Sequence, residues 1–144
     1  MAGRDVNVQM GLTSVDEVSF MMLPGKVTEN VQPGNIKLGF FNQVQPEVES
    51  DKIALIFGVR YELEDDKILE CVYRFEFRVN GLDRFITTHD KEGITVTYIM
   101  PLLINEAIGT MRGILVVKTA GTNLSKYPLP IIDSVRLTQS LSNP

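Results

Sequence analysis

From Ile53 to Leu63 every odd position is apolar: Ile53, Leu55, Phe57, Val59, Tyr61 and Leu63. The even positions beside them carry Lys52, Ala54, Ile56, Gly58, Arg60 and Glu62. After a turn at Glu64-Asp65-Asp66-Lys67 the alternation resumes. Leu69, Cys71, Tyr73, Phe75, Phe77 and Val79 then oppose Glu70, Arg74, Glu76 and Arg78, fading at Asn80-Gly81. A period of two over two long segments predicts a hairpin with one buried and one wet face. Such a face has to be covered by something.

The same pattern extends upstream. Residues 1–14 are polar and weakly patterned, and predict a flexible arm. Val18, Phe20 and Met22 alternate with Glu17, Ser19 and Met21, predicting a first strand that ends at Pro24-Gly25. Residues 26–34 form a long connection that turns at Pro33-Gly34. Ile36, Leu38 and Phe40 alternate with Lys37, Gly39 and Phe41, a second strand to about Val44, followed by a polar turn over Pro46 to Asp51. Downstream, residues 83–93 are polar and turn-rich. Pro101 suits the first turn of a helix, where its missing N–H costs nothing. Leu103, Ala107, Thr110 and Ile114, with Ile104, Ile108, Met111 and Leu115, recur at helical spacing, and Lys118 complements the C-terminal dipole. A helix is expected from Met100 to about Lys118. The alternative is a helix that stops near Gly113, with Ile114–Val117 extended. Pro128 and Pro130 mark a loop over 119–131, and Ile132 to Leu141 suits a short closing helix. Four strands followed by helices predict a single α+β domain, 1–144, with an antiparallel sheet covered on one side. The long connection after the first strand leaves room for a Greek key.

Composition narrows the function. The 144 residues are 44% hydrophobic and 22% charged, as in a globular domain, with a net charge of −4. That charge gives no reason to expect nucleic acid or an anionic membrane as partner. No signal peptide and no run of about 18 apolar residues stands out, so a cytoplasmic protein without membrane insertion is expected. Cys71 is the single cysteine and falls on the apolar face, where it reads as a small core side chain. His89 is the single histidine, beside Asp90 in a polar stretch. Neither a phosphate-cradling glycine loop, nor a zinc-protease helix, nor a nucleophile elbow is present. Glu62, Glu64, Asp65 and Asp66 cluster at a hairpin tip without the spacing of a calcium loop, and read as a solvated turn. No enzyme and no cofactor is therefore expected.

The apolar surplus is more informative. Met21-Met22-Leu23 leaves the end of the first strand without a polar side, Phe40 and Phe41 point to opposite faces, and Ile56, Ile68 and Val72 interrupt the polar face of the hairpin. Apolar positions on both faces predict a second buried surface, a subunit interface or a binding groove. Ile56 and Val72 are candidates for that interface. Gly109 and Gly113 join them, because two glycines one turn apart inside a helix each cost about 1 kcal/mol against Ala unless another backbone approaches closely.

The order of elements and several local strings resemble the SecB export-chaperone family. Asp16-Glu17-Val18-Ser19-Phe20 resembles its first strand, and Gln32-Pro33 followed by Ile36-Lys37-Leu38 resembles the lead-in to its second. Met100-Pro101 resembles the start of its long helix, Ile108-Gly109-Thr110-Met111-Arg112-Gly113 the end of that helix, and Leu129-Pro130-Ile131 the approach to its last helix. The similarity runs from about residue 16 to 141. It implies a four-stranded Greek-key sheet with C-terminal helices, a dimer or tetramer, and a holdase that keeps client chains unfolded without ATP. It places Met22, Val31, Phe40, Met100, Leu102 and Tyr127 around one client groove. Val31 and Met100 stand where the family carries aromatics, and Met21 where it carries an acid of the export-motor docking face, near Glu17 and Glu70. The sequence ends at Ser142-Asn143-Pro144 without a motor-binding tail. Binding to the export motor is therefore doubtful, and solitary or toxin–antitoxin-associated members are the nearer comparison. Two other readings stay open: a structural or adaptor module that binds one fixed partner, and an unrecognised enzyme or small-ligand binder with an apolar pocket.

Overall fold

In the computed structural model, residues 9–89, 93–96 and 98–142 are described. Four strands form one antiparallel sheet: β1 (Met10–Met22), β2 (Ile36–Glu47), β3 (Lys52–Leu63) and β4 (Asp66–Val79), in the order β1-β4-β3-β2. Strands β2, β3 and β4 follow one another through hairpins, and β1 lies beside β4. This is the expected Greek key. The β3–β4 hairpin closes on a two-residue turn in which Glu64 and Asp65 have φ of 52° and 67°. That pair of left-handed residues matches the twist of the flanking strands. Among the described residues, β1 and β2 are the two edges of this sheet, and Pro46 sits on an edge strand, where a missing N–H breaks no ladder.

Strand β1 is longer than the alternation of Val18, Phe20 and Met22 predicts, and it takes in residues 10–14 of the expected arm. Residues 1–8 lie outside the described residues. Two bulges interrupt its pairing with β4, between Leu12 and Ser14 and between Glu17 and Ser19. The second places Val18 out of phase, so Glu17 opposite Tyr73 shares a face with Phe20 opposite Cys71. Val18 is accordingly exposed.

The long helix α1 (Met100–Thr119) covers the sheet, continuing through Gly113 as one element. Its buried residues, including Leu103, Ile104, Ala107, Ile108, Met111 and Leu115, pack with Ile53, Leu55, Phe57, Val59, Phe75 and Phe77 of the central strands. Full burial of a large apolar side chain is worth about 2 kcal/mol, so this seam dominates the fold. By length and composition α1 would suffice to cross a membrane, with a mean hydropathy of 1.4, contrary to the expectation that no segment approaches that composition. Its inward face is taken up by the sheet. A short helix α2 (Ser134–Ser142) packs against α1, close to the expected closing helix.

The stretch read as polar loop contains a second, two-stranded sheet, β5 (Ile86–His89) with β6 (Gly93–Val96). Asp90 lies outside the described residues. At the opposite end of the main sheet from the β3–β4 turn, Asp51 adopts a left-handed conformation. Its carboxylate accepts hydrogen bonds from the N–H groups of Gly81 and Leu82, at 3.3 and 3.2 Å.

Met100, expected at the groove, is 8% exposed and packs with the core cluster. It is the first residue of α1, and its side chain is drawn into the helix–sheet seam. Met100→Gln should lower stability by about 2 kcal/mol by burying an amide without built-in partners. A denaturant midpoint unchanged from wild type would remove Met100 from the core.

Candidate functional site

A hollow lies at the end of the sheet where the β1–β2 connection crosses over. It has a volume of about 270 Å³ and is lined by Pro33, Ile36, Leu38, Lys126, Tyr127, Pro128 and Pro130. Ile36 and Leu38 come from the unpaired edge of β2, in register with Leu63 and Tyr61 of β3. The opposite wall is the loop after α1, and three hydrogen bonds hold it there. The Arg112 guanidinium donates to the carbonyls of Leu129 and Pro130, both at 2.8 Å, and the Tyr61 hydroxyl donates to the carbonyl of Tyr127 at 2.7 Å. The loop in turn holds the crossover. Asn123 Nδ2 donates to the Val27 carbonyl at 2.7 Å, and the Tyr127 hydroxyl donates to the Val31 carbonyl at 2.8 Å. The result is a mainly apolar trough, with Lys126 in its wall, beside β2, whose outer side no other strand pairs with among the described residues.

The expected groove residues do not converge on one surface. Val31 and Tyr127 meet directly. Phe40 is partly buried, with its ring 6.0 Å from that of Phe57. Met22 is likewise partly buried against the core, across from Leu69 at the end of β1. Leu102 is 47% exposed and borders a different hollow, of about 510 Å³, with Met10, Leu12 and Phe77 at the far end of the sheet. Pro33, Pro128 and Pro130 were absent from the expected set, although their clustering in two loops was visible in the sequence.

The interface candidates divide as well. Gly109 and Gly113 lie on the outward face of α1, and a Cβ at either would meet nothing within 4 Å among the described residues. Leu102, Val116 and Val117 are exposed on the same helix. Ile56 is half-buried on the outer face of the sheet. Val72, in contrast, is 6% exposed and is not a free surface. It stands directly across from Gly58, and a Cβ at Gly58 would collide with the Phe41 ring. The ring occupies the space that the glycine leaves, and the outer face is closed there from within the chain.

Sequence reasoning missed a polar cluster on the β1 edge. Glu17 Oε1 lies 2.6 Å from Lys118 Nζ and accepts a hydrogen bond from the Tyr73 hydroxyl at 3.0 Å, while Lys118 Nζ sits 4.5 Å above the Phe20 ring. The bulge that rotates Glu17 inward creates this contact, and no period-two pattern reveals it. Glu70 is similarly paired, 3.4 Å from Lys67. Burial pushes the Cys71 thiol and the Tyr61 phenol each up to about 12, so Cys71 is an unreactive core side chain and Tyr61 remains a donor at every ordinary pH. Among the described residues, no three His, Cys, Asp or Glu side chains converge to hold a metal ion.

No family model and no curated protein matches the chain. Among solved structures, one that is similar is the Mycobacterium tuberculosis Rv1957 SecB-like chaperone in complex with a ChAD peptide from the Rv1956 HigA1 antitoxin. It is 10% identical, with a TM-score of 0.45 over 85% of this chain and 88% of that one.

The Glu17 cluster has a defined pH signature. Hydrogen bonds from Lys118 and then Tyr73 hold the Glu17 carboxyl below its ordinary 4.5. The bond to Glu17 holds the Lys118 amine above its ordinary 10.5. A lowered acid stabilises the fold above its unfolded value and loses that contribution as pH falls through the folded one. A raised base stabilises below its unfolded value and loses it as pH rises through the folded one. The contribution is therefore full well above 4.5 and well below 10.0, the ordinary value of the Tyr73 phenol, which burial and its bond to Glu17 also raise, and falls away outside that window. Glu17→Gln should lower the denaturant midpoint within the window and match wild type in acid. A difference that persists at acid pH would mean that the glutamine disturbs packing instead of removing a charge.

Proposed function

We propose that the protein is an ATP-independent holdase that binds unfolded or partly folded polypeptide segments along the trough beside β2. The carrying observation is the pairing of an unpaired strand edge with an apolar, proline- and tyrosine-lined channel. A strand edge offers main-chain N–H and C=O groups that accept any sequence, and an apolar channel takes alternate side chains with little discrimination. The twelve residues of β2 pair with β3 without a register break, and α2 packs beside part of the strand. The resemblance of the sequence strings to the SecB family points the same way.

The reading includes self-association through the outward face of α1, where Leu102, Gly109, Gly113, Val116 and Val117 leave a largely apolar surface without a partner among the described residues. An apolar stripe flanked by glycines suits the close approach of a second helix. The client class, a cytoplasmic location and any role beside a toxin–antitoxin pair belong to this proposal as well.

The purified protein, without nucleotide, should suppress thermal aggregation of two unrelated clients at near-equal molar ratio. No suppression of either, by a folded protein, overturns the holding role. Light scattering at micromolar concentration should give a multiple of 16.1 kDa, and Val117→Glu, at a position 75% exposed, should return it to the single-chain mass with the fold intact. A wild type that scatters as one chain overturns self-association.

A further inference from the structure

We propose that the trough selects extended apolar segments that carry an acidic side chain, and that Lys126 is the residue that sets this preference. The proposal rests on the holding role and names the class of segment held at the same site.

Lys126 is the one charged residue in the lining of the trough. It is exposed, and among the described residues its ammonium has no ion-pair or hydrogen-bond partner. The other described lysines divide by position. Lys52, Lys67 and Lys118 pair with Glu76, Glu70 and Glu17. Lys26 and Lys37 have no such partner, and both belong to the crossover end. Lys26 closes the short turn Pro24–Lys26, which packs on the turn Asn123–Lys126. Lys37 stands between Ile36 and Leu38 on the other face of β2 and borders the second hollow, of about 550 Å³, with Glu64 and Asp65. Two further carboxylates are engaged elsewhere: Glu62 lies 2.8 Å from Arg60, and Asp133 lies 3.9 Å from Arg136 and caps the start of α2. The trough therefore holds a cation that no carboxylate of the described chain neutralises.

The backbone that carries this cation is fixed on both sides. Leu124 is 1% exposed, the Tyr127 N–H donates to its carbonyl at 3.1 Å, and the Tyr127 carbonyl accepts from the buried Tyr61. A wholly apolar segment laid in the trough would strip water from the ammonium and return nothing, and a basic one would add repulsion. A carboxylate on the segment offsets that loss. An extended segment sends alternate side chains to one face, so a single acidic position among apolar ones on that face is sufficient. The net charge of −4 opposes an acidic segment, but it is spread over the whole surface and is screened beyond about 8 Å at physiological salt. Lys126 acts at contact, inside that distance, so the local attraction outweighs the general repulsion. An ion pair at an exposed position changes an equilibrium by up to about five-fold.

Three fluorescent peptides test this, each alternating Val and Thr, blocked at both ends, with Glu, Gln or Lys at one central position of the Val face. By anisotropy at low salt, the Glu peptide should bind the full-length protein about five-fold tighter than the Gln peptide, and the Lys peptide should bind weakest. Lys126→Gln should bring the Glu and Gln peptides to one affinity, and Lys126→Glu should invert the order. Lys37→Gln, an equal loss of charge on the other face of β2, should keep the order. Equal affinity of all three peptides for the wild type overturns the acid preference. A preference that survives Lys126→Gln, or that Lys37→Gln abolishes to the same degree, overturns the assignment to Lys126. A Gln peptide with a free C-terminal carboxylate that matches the Glu peptide overturns the side chain as the group selected. A wild type that binds none of the peptides overturns the holding role, and the preference with it. If the Lys126 variants do not fold, the wild type still decides: the spread between the Glu and Lys peptides should collapse in high salt, and a spread that persists overturns the charge as its cause.

Discussion

The contact on which everything else depends is the seating of α1 on the apolar face of β3 and β4. The central strands present Ile53, Leu55, Phe57, Val59, Phe75 and Phe77 on one side, and no stable sheet leaves such a face in water. Once α1 lies there, its other residues acquire their positions. Arg112 reaches the carbonyls of Leu129 and Pro130, Lys118 reaches Glu17 across the β1 edge, and the loop that follows is delivered to the crossover. The trough is thus a consequence of core packing. One wall is strand β2, and the other is a loop anchored through a buried tyrosine and a helix-borne arginine.

Most of this architecture was legible in the chain. The period-two runs identify β2, β3 and β4 and the face each buries, because a half-buried strand enforces its alternation at every residue. The helical spacing of Leu103, Ala107, Met111 and Leu115 identifies α1 for the same reason. What escaped was local and conformational. The bulges in β1 leave no mark on composition, so Val18 looked in phase when it is not. The β5–β6 pair is only four residues a side, too short for a period to register.

The site was less legible than the fold. Tyr127 and Val31 were expected together, but the bond between them links positions 96 apart and no pattern along the chain encodes it. Met100 and Val72 were misplaced because apolarity does not distinguish a surface from a seam. Met100 is drawn inward by its place in the first turn of α1. Val72 is closed over beside Gly58, whose missing side chain lets Phe41 fold down. The glycines of α1 show the converse: their spacing suggested close approach, yet within the chain they face open space.

Asp51 gives the molecule a polarity along its strands. With its carboxylate on the N–H groups of Gly81 and Leu82 and its carbonyl holding the Val79 N–H at 2.8 Å, it staples the β2–β3 turn to the exit of β4. The crossover and the Glu64-Asp65 turn lie at the other end. Both ends of the strands are therefore tied down, one by a carboxylate seated on backbone amides and the other by the Tyr61 and Arg112 bonds to the loop after α1, so that the sheet is held in register from either side.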